Sequence, residues 1–145
     1  MNILIYEFLE VMQTAITGAT NSATLLPGGV WYGRAPDDTV APYGVIEVTD
    51  GKKTFTTNGF FLQNLSVKIT VYYTAGGVAG SDAKNAFAML SEAFDFKKVA
   101  LASGNLISMH PSLNFPAIDS MLKNSKDVFV ATFVWEALLS GENTL

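Results

Sequence analysis

A chain of 145 residues is the size of one domain and long enough to bury a core. It contains no cysteine, which excludes disulfide staples, cysteine-ligated zinc and thiol chemistry. Nine basic residues against thirteen acidic ones leave a net charge of −4, with the lysines in the pairs Lys52-Lys53 and Lys97-Lys98. Tight nucleic-acid binding needs a stripe of such charges to neutralise phosphates, so that class is excluded too.

Charge is scarce: 15% of residues are Asp, Glu, Lys or Arg, against a usual ~25%. Hydrophobic types make up 49%. A chain so composed is expected to hide part of its surface against other chains; a neutral surface rich in Ser, Thr, Asn and Gly is the alternative. The start, "MNILIYEFLEVMQ", places Glu7 and Glu10 before any basic residue and does not read as a secretory signal. No apolar run reaches the ~18 residues that span a bilayer, so no membrane partner is expected.

In chain order, residues 3–16 predict an amphipathic helix, with Leu4, Phe8, Val11, Met12, Ala15 and Ile16 at helical spacing. "TGATNSATLLPGG" predicts a loop. "VWYG", 30–33, predicts a short strand. Pro36 and Pro42 bar 34–42 from the middle of a sheet because they lack the amide donor. Residues 43–50 resume strand composition, and Asp50-Gly51 signals a turn. Leu65, Val67, Ile69, Val71 and Tyr73 alternate with polar or half-polar neighbours, the period-two pattern of a strand with one buried face. Asn58-Gly59 predicts that strands 43–50 and 60–73 pair antiparallel across a long, polar, flexible loop, 51–59.

"TVYYTAGGVAGSDAKNAF", 70–87, has the outline of a phosphate-binding unit: strand, glycine-rich loop, helix. The detail departs from it. No lysine follows the glycines as a P-loop requires, and the i, i+2, i+5 glycine spacing of a dinucleotide fingerprint is missing. The loop therefore reads as a chain reversal, and no cofactor is expected. Ser81 and Asp82 suit a helix start, and Ala83, Ala86, Phe87, Leu90, Ala93 and Phe94 form its apolar stripe. Residues 105–110 and 128–139 predict two more strands, the second with Phe129, Phe133 and Trp135 on one face and Val128, Val130, Val134 and Leu138 on the other. "PSLNFPAIDSMLKNSKD" reads as irregular, and "SGENTL", 140–145, as a mobile tail. The expected order is α-β-β-β-α-β-β, one α+β domain over 1–145: an antiparallel β-sheet with two α-helices packed on one face.

Catalytic candidates are sparse. His110 is the single histidine, in "MHP" with no GxSxG elbow elsewhere, and reads as structural; one histidine cannot build a multi-histidine metal site. Asp37-Asp38 reads as a turn, and Glu92 and Asp95 as a solvated helix face near Lys97 and Lys98. The aromatics Trp31, Tyr32, Tyr43, Phe60, Phe61, Tyr72, Tyr73 and Trp135 lack interleaved bases, apart from Arg34, and read as core and interface packing. No catalytic or metal-binding residue is expected.

The segment "VWYGRAPDDTVAPYGVIEVTDG", preceded by a helix and followed by "LSVKITVYY", a Gly/Ala/Ser linker and "SDAKNAFAMLSEAF", resembles the tail terminator, or tail-completion (tail-to-head joining), family of long-tailed phages. The resemblance covers most of the chain in order and length; residues 104–127 fit it least. It implies a non-catalytic virion protein, made in the host cytoplasm. Six copies would ring the end of the tail tube, with the tail-tube protein on one side and a head-side connector or head-closure protein on the other. DNA would pass through the lumen without specific binding, which a net-negative ring suits. The ring would close by heterologous contacts between exposed edges and loops. The interface residues expected on this reading are Trp31, Arg34, Lys52, Lys53, Phe55, Asn58, Glu142 and Asn143. The alternatives are a head-closure or tail-tube protein, or a non-viral homo-oligomeric α+β binding module.

Overall fold

The computed structural model describes residues 3–56, 59–73, 80–95, 98–112, 117–123 and 126–142. Its elements are α1 (Ile3–Thr17), α2 (Ser22–Leu25), β1 (Val30–Tyr32), β2 (Tyr43–Phe55), β3 (Phe60–Tyr72), α3 (Gly80–Phe94), β4 (Val99–Leu101), β5 (Gly104–Pro111), β6 (Ala117–Lys123) and β7 (Lys126–Glu142). The strands form a single sheet in the order β1-β2-β3-β7-β5-β4, with β6 also paired to β7.

Alternation in β3 and β7 builds the buried face. Leu65, Val67, Ile69 and Val71 are fully buried, as are Ala131, Phe133, Trp135 and Leu139. The antiparallel register puts Val67 opposite Trp135 and Ile69 opposite Phe133, so these side chains share one side of the sheet. The apolar stripe of α1 (Leu4, Phe8, Met12, Ile16) and that of α3 (Ala86, Met89, Leu90, Ala93, Phe94) belong to the same core. Phe87 and Phe94 of α3 meet Trp135 at centroid distances of 5.8 and 5.4 Å, stacked and edge-on respectively. The indole N–H donates to Asp95 Oδ1 at 2.8 Å, just past the helix end. Asp95 therefore does not belong to a solvated face, as its spacing from Glu92 predicts; it satisfies the one polar atom of the largest buried side chain.

Several other expectations are corrected. The sheet is mixed and not purely antiparallel, because β1 runs parallel to β2, with Val30 opposite Gly44. The proline-bearing connection 33–42 makes this possible by returning the chain to the start of β2. The order is α-α-β-β-β-α-β-β-β-β. Helix α2 is a single turn, too short to show periodicity, and follows Asn21, which takes a left-handed φ of 66°. Strand β2 runs through Asp50-Gly51 to Phe55, so residues 51–55 of the expected loop 51–59 belong to a strand, with 53–55 paired to β3. Residues 140–142 of the expected tail are the end of β7, paired to 60–62 of β3. The stretch read as irregular contains β6, hydrogen-bonded to the first half of β7.

Truncating Trp135 to Ala removes the ring that both helix aromatics contact; unfolding in urea is expected to show a loss of about 3–5 kcal/mol. Asp95→Ala, which strands the indole N–H, is expected to cost about 1–3 kcal/mol in the same assay.

Candidate assembly interface

Strand β1 covers β2 at Gly44–Ile46, and the last bond on that side runs from Gly33 N–H to the Ile46 carbonyl at 3.0 Å. From residue 47 to residue 55, no described strand lies on this edge of β2. Such an edge exposes backbone donors and acceptors that another chain can take up. It is interrupted by one extra residue, where Asp50 faces Leu65 and Lys53 faces Gln63. Gly51 sits in this bulge, and a Cβ there would come within 2.8 Å of the Asn64 carbonyl oxygen.

Past the bulge the hairpin carries a cationic aromatic cluster. Lys53 Nζ lies 4.1 Å from the Phe61 ring centroid and 5.4 Å from that of Phe55. The two rings meet edge-on at 6.3 Å. Phe61 is buried over Gly141, where a Cβ would come within 2.6 Å of its ring. Phe55 is 59% exposed, and Phe60 and Leu62 are exposed beside it.

At the other end of the edge, Trp31 donates its indole N–H to the Gly28 carbonyl at 2.9 Å. The Tyr32 hydroxyl donates to the Leu9 carbonyl of α1, and Gln13 Nε2 to the Val30 carbonyl at 2.9 Å. These bonds fix β1 to the helix. Arg34 and Asp37 form an exposed ion pair at 2.7 Å, a kind of contact that adds little stability. Partial burial, with Glu10 as a lesser cause, raises the Tyr32 phenol above its usual pKa.

Of the residues expected at an interface, the structure brings Trp31, Arg34, Lys52, Lys53 and Phe55 to one sheet edge, the first two at the β1 end and the others along the hairpin. Glu142 ends β7 opposite Phe60, at the hairpin tip. Asn58 and Asn143 lie outside the described residues. A groove that the sequence reading missed opens beside the tip, about 570 Å³, lined by Phe60, Leu101, Ser103, Gly104, Ser140 and Gly141. Gly104 and Gly141 face each other across β5 and β7, and a Cβ at Gly104 would meet the Ser140 carbonyl at 2.1 Å. The Glu7 carboxylate closes this end, accepting the Ser103 N–H at 2.8 Å and hydroxyl at 2.7 Å. Two glycines far apart in sequence were the available signal, and nothing local pairs them.

The face turned away from the helices carries polar pairs. Lys68 bonds Glu47 at 3.3 Å, and Ser66 donates to Glu136 at 2.9 Å. His110 is exposed and stands opposite Glu136 in register. Among the described residues, no three His, Cys, Asp or Glu side chains come together as a metal site. No helix among them is long and apolar enough to cross a membrane. The glycine loop 74–79 lies outside the described residues.

The fold is thus a mixed α+β sheet with helices against one face and a long open edge. No protein-family model matches the chain, and no curated protein does. Among solved structures it is similar to a chain from the virion of a native gene transfer agent particle, with a TM-score of 0.75 and 15% identity. The match spans 97% of this chain and 100% of that one, so the two share a fold over their whole length.

Because the Tyr32 pKa is raised in the folded state, the unfolded chain loses its phenolic proton first as pH rises. Stability should therefore fall above pH 10, in the window between the usual value of 10.0 and the raised one. Tyr32→Phe should lose this part of the alkaline decline, read as a flatter melting temperature against pH between about 9 and 11.

Proposed function

We propose that this chain is a structural component of a phage-like particle, and that it closes the tail tube as a ring and joins it to the head-side connector. The observation that carries this reading is the full-length likeness to a virion chain at a TM-score of 0.75. The surface agrees with it in kind. A chain with 15% charged residues leaves Trp31, Tyr32 and Val40 exposed near β1, and Phe55, Phe60 and Leu62 at the hairpin tip. Separate apolar patches at the two ends of one subunit suit a protein with more than one neighbour.

On this reading the work is geometric. Copies contact each other through unlike surfaces, so that rotation closes the ring, and the tip meets the tube or the connector. Trp31, Arg34, Lys52, Lys53, Phe55, Asn58, Glu142 and Asn143 are the contact residues proposed. DNA passes through the bore without base-specific contacts, and no reaction is catalysed.

Electron microscopy of the purified chain mixed with tail-tube protein tests this. Six-fold rings with an open bore at tube ends are expected. Filaments of this chain alone would identify a tube protein, and a persistent solitary subunit would refute the ring. Lys52→Glu with Phe55→Ser, at two exposed positions of the hairpin, should leave the far-ultraviolet circular dichroism of the chain nearly unchanged while particles lose head–tail joining. Joining that survives both changes removes the hairpin from the interface.

A further inference from the structure

We propose that two copies of this chain pair along the open edge of β2, antiparallel about a two-fold axis at Gly51–Lys52, so that one sheet runs through both subunits. This contact belongs to the free chain and does not rest on the ring reading, which gives the same hairpin residues to other neighbours.

The direction of the backbone groups sets the register. Gly44 N–H and the Ile46 carbonyl point outward, toward Gly29 and Gly33. Strand period then turns the N–H and C=O of residues 48 and 50 outward. The extra residue at the bulge shifts the parity, so residues 53 and 55 point outward beyond it. Antiparallel pairing of Val48 with the partner's Phe55, and of Asp50 with the partner's Lys53, sets these groups against each other. Repeated by the two-fold axis, it forms about eight backbone hydrogen bonds.

The same register matches faces and chemistry. Positions 48, 50, 53 and 55 oppose Val67, Leu65, Gln63 and Phe61, all on the helix side of the sheet, whereas Thr49 and Thr54 oppose Ser66 and Leu62 on the other side. Like faces therefore meet across the axis, as a continuous sheet requires. The free edge reads Glu47-Val48-Thr49-Asp50-Gly51-Lys52-Lys53-Thr54-Phe55, acidic in its first half and basic in its second. Run antiparallel to itself in this register, the segment sets Asp50 against the partner's Lys53 on either side of the axis. Parallel pairing of the same edges in register would set like charges together. An exposed Phe55 ring gains Val48 as its cross-strand neighbour, an aromatic against a β-branched side chain.

The pairing also limits itself. Strand β1 blocks the edge below residue 47, so the partner's hairpin stops near Gly33–Arg34. Each copy uses its edge once, and the contact ends at two subunits.

The native chain has no cysteine, so crosslinking is clean. The full chain at about 100 µM is expected to sediment as a dimer. Thr49 and the partner's Thr54 form a non-hydrogen-bonded pair, within reach of a disulfide. Mixed Thr49→Cys and Thr54→Cys proteins should crosslink on oxidation. Thr49→Cys alone should not, since its two copies lie roughly 17 Å apart along the strands. Asp50→Lys should weaken dimerisation about tenfold, and Asp50→Lys with Lys53→Asp should restore it to within about threefold. A monomer at this concentration, a dimer without the 49–54 crosslink, or a charge swap that fails to restore pairing would each overturn the contact. Six-fold rings that form without the crosslink would overturn it and leave the ring reading standing.

Discussion

The indole of Trp135 is the point at which helix and sheet are joined. It lies at the middle of β7, the strand on which β3, β5 and β6 all pair. Two phenylalanines of α3 pack on it and Asp95 takes its N–H, so the helix is fixed in both height and rotation over the sheet. Burying a ring of this size is strongly favourable, and satisfying its polar atom removes the penalty that would otherwise set a limit on its depth. Helix α1 is fixed differently. Its apolar stripe shares the core, and Glu7 grips Ser103 on the turn between β4 and β5, a polar anchor beside the end of β7.

The parts of this arrangement that repeat were legible in the sequence. The period of β3 and the apolar stripes of α1 and α3 are local patterns, and the buried residues fall where those patterns place them. What was illegible depends on partners far along the chain. Asp50-Gly51 has the composition of a turn, yet β3 holds it in register and absorbs the extra residue as a bulge. Strand β6 has weak alternation of its own and exists because β7 offers it an edge. The parallel placement of β1 depends on a connection that no short motif encodes. At the candidate interface, five of the expected residues share an edge because β1 pairs with the first part of β2 and leaves the rest of that strand open, a fact of topology and not of spacing.

Scarcity of charge acquires a structural meaning once the edge is seen. Among the described residues several charged groups have partners: Glu47 with Lys68, Arg34 with Asp37, Lys53 over two rings. Natural sheets guard open edges with lysines and bulges, and β2 has both. These devices disfavour indiscriminate pairing, and the separation of acid from base along the edge leaves one complementary arrangement open. A subunit that must stay soluble until it meets its partners needs such discrimination more than it needs added stability.

Strands β5 and β6 lie end to end along the same side of β7. Pairing of β5 stops at Pro111 opposite Trp135, and pairing of β6 starts at Ala117 opposite Thr132. Phe133 and Val134 of β7 stand between the two pairings. Each flank is anchored to β7 by its own ladder. Each ladder sets its own register on β7, so a slip in one leaves the other in place.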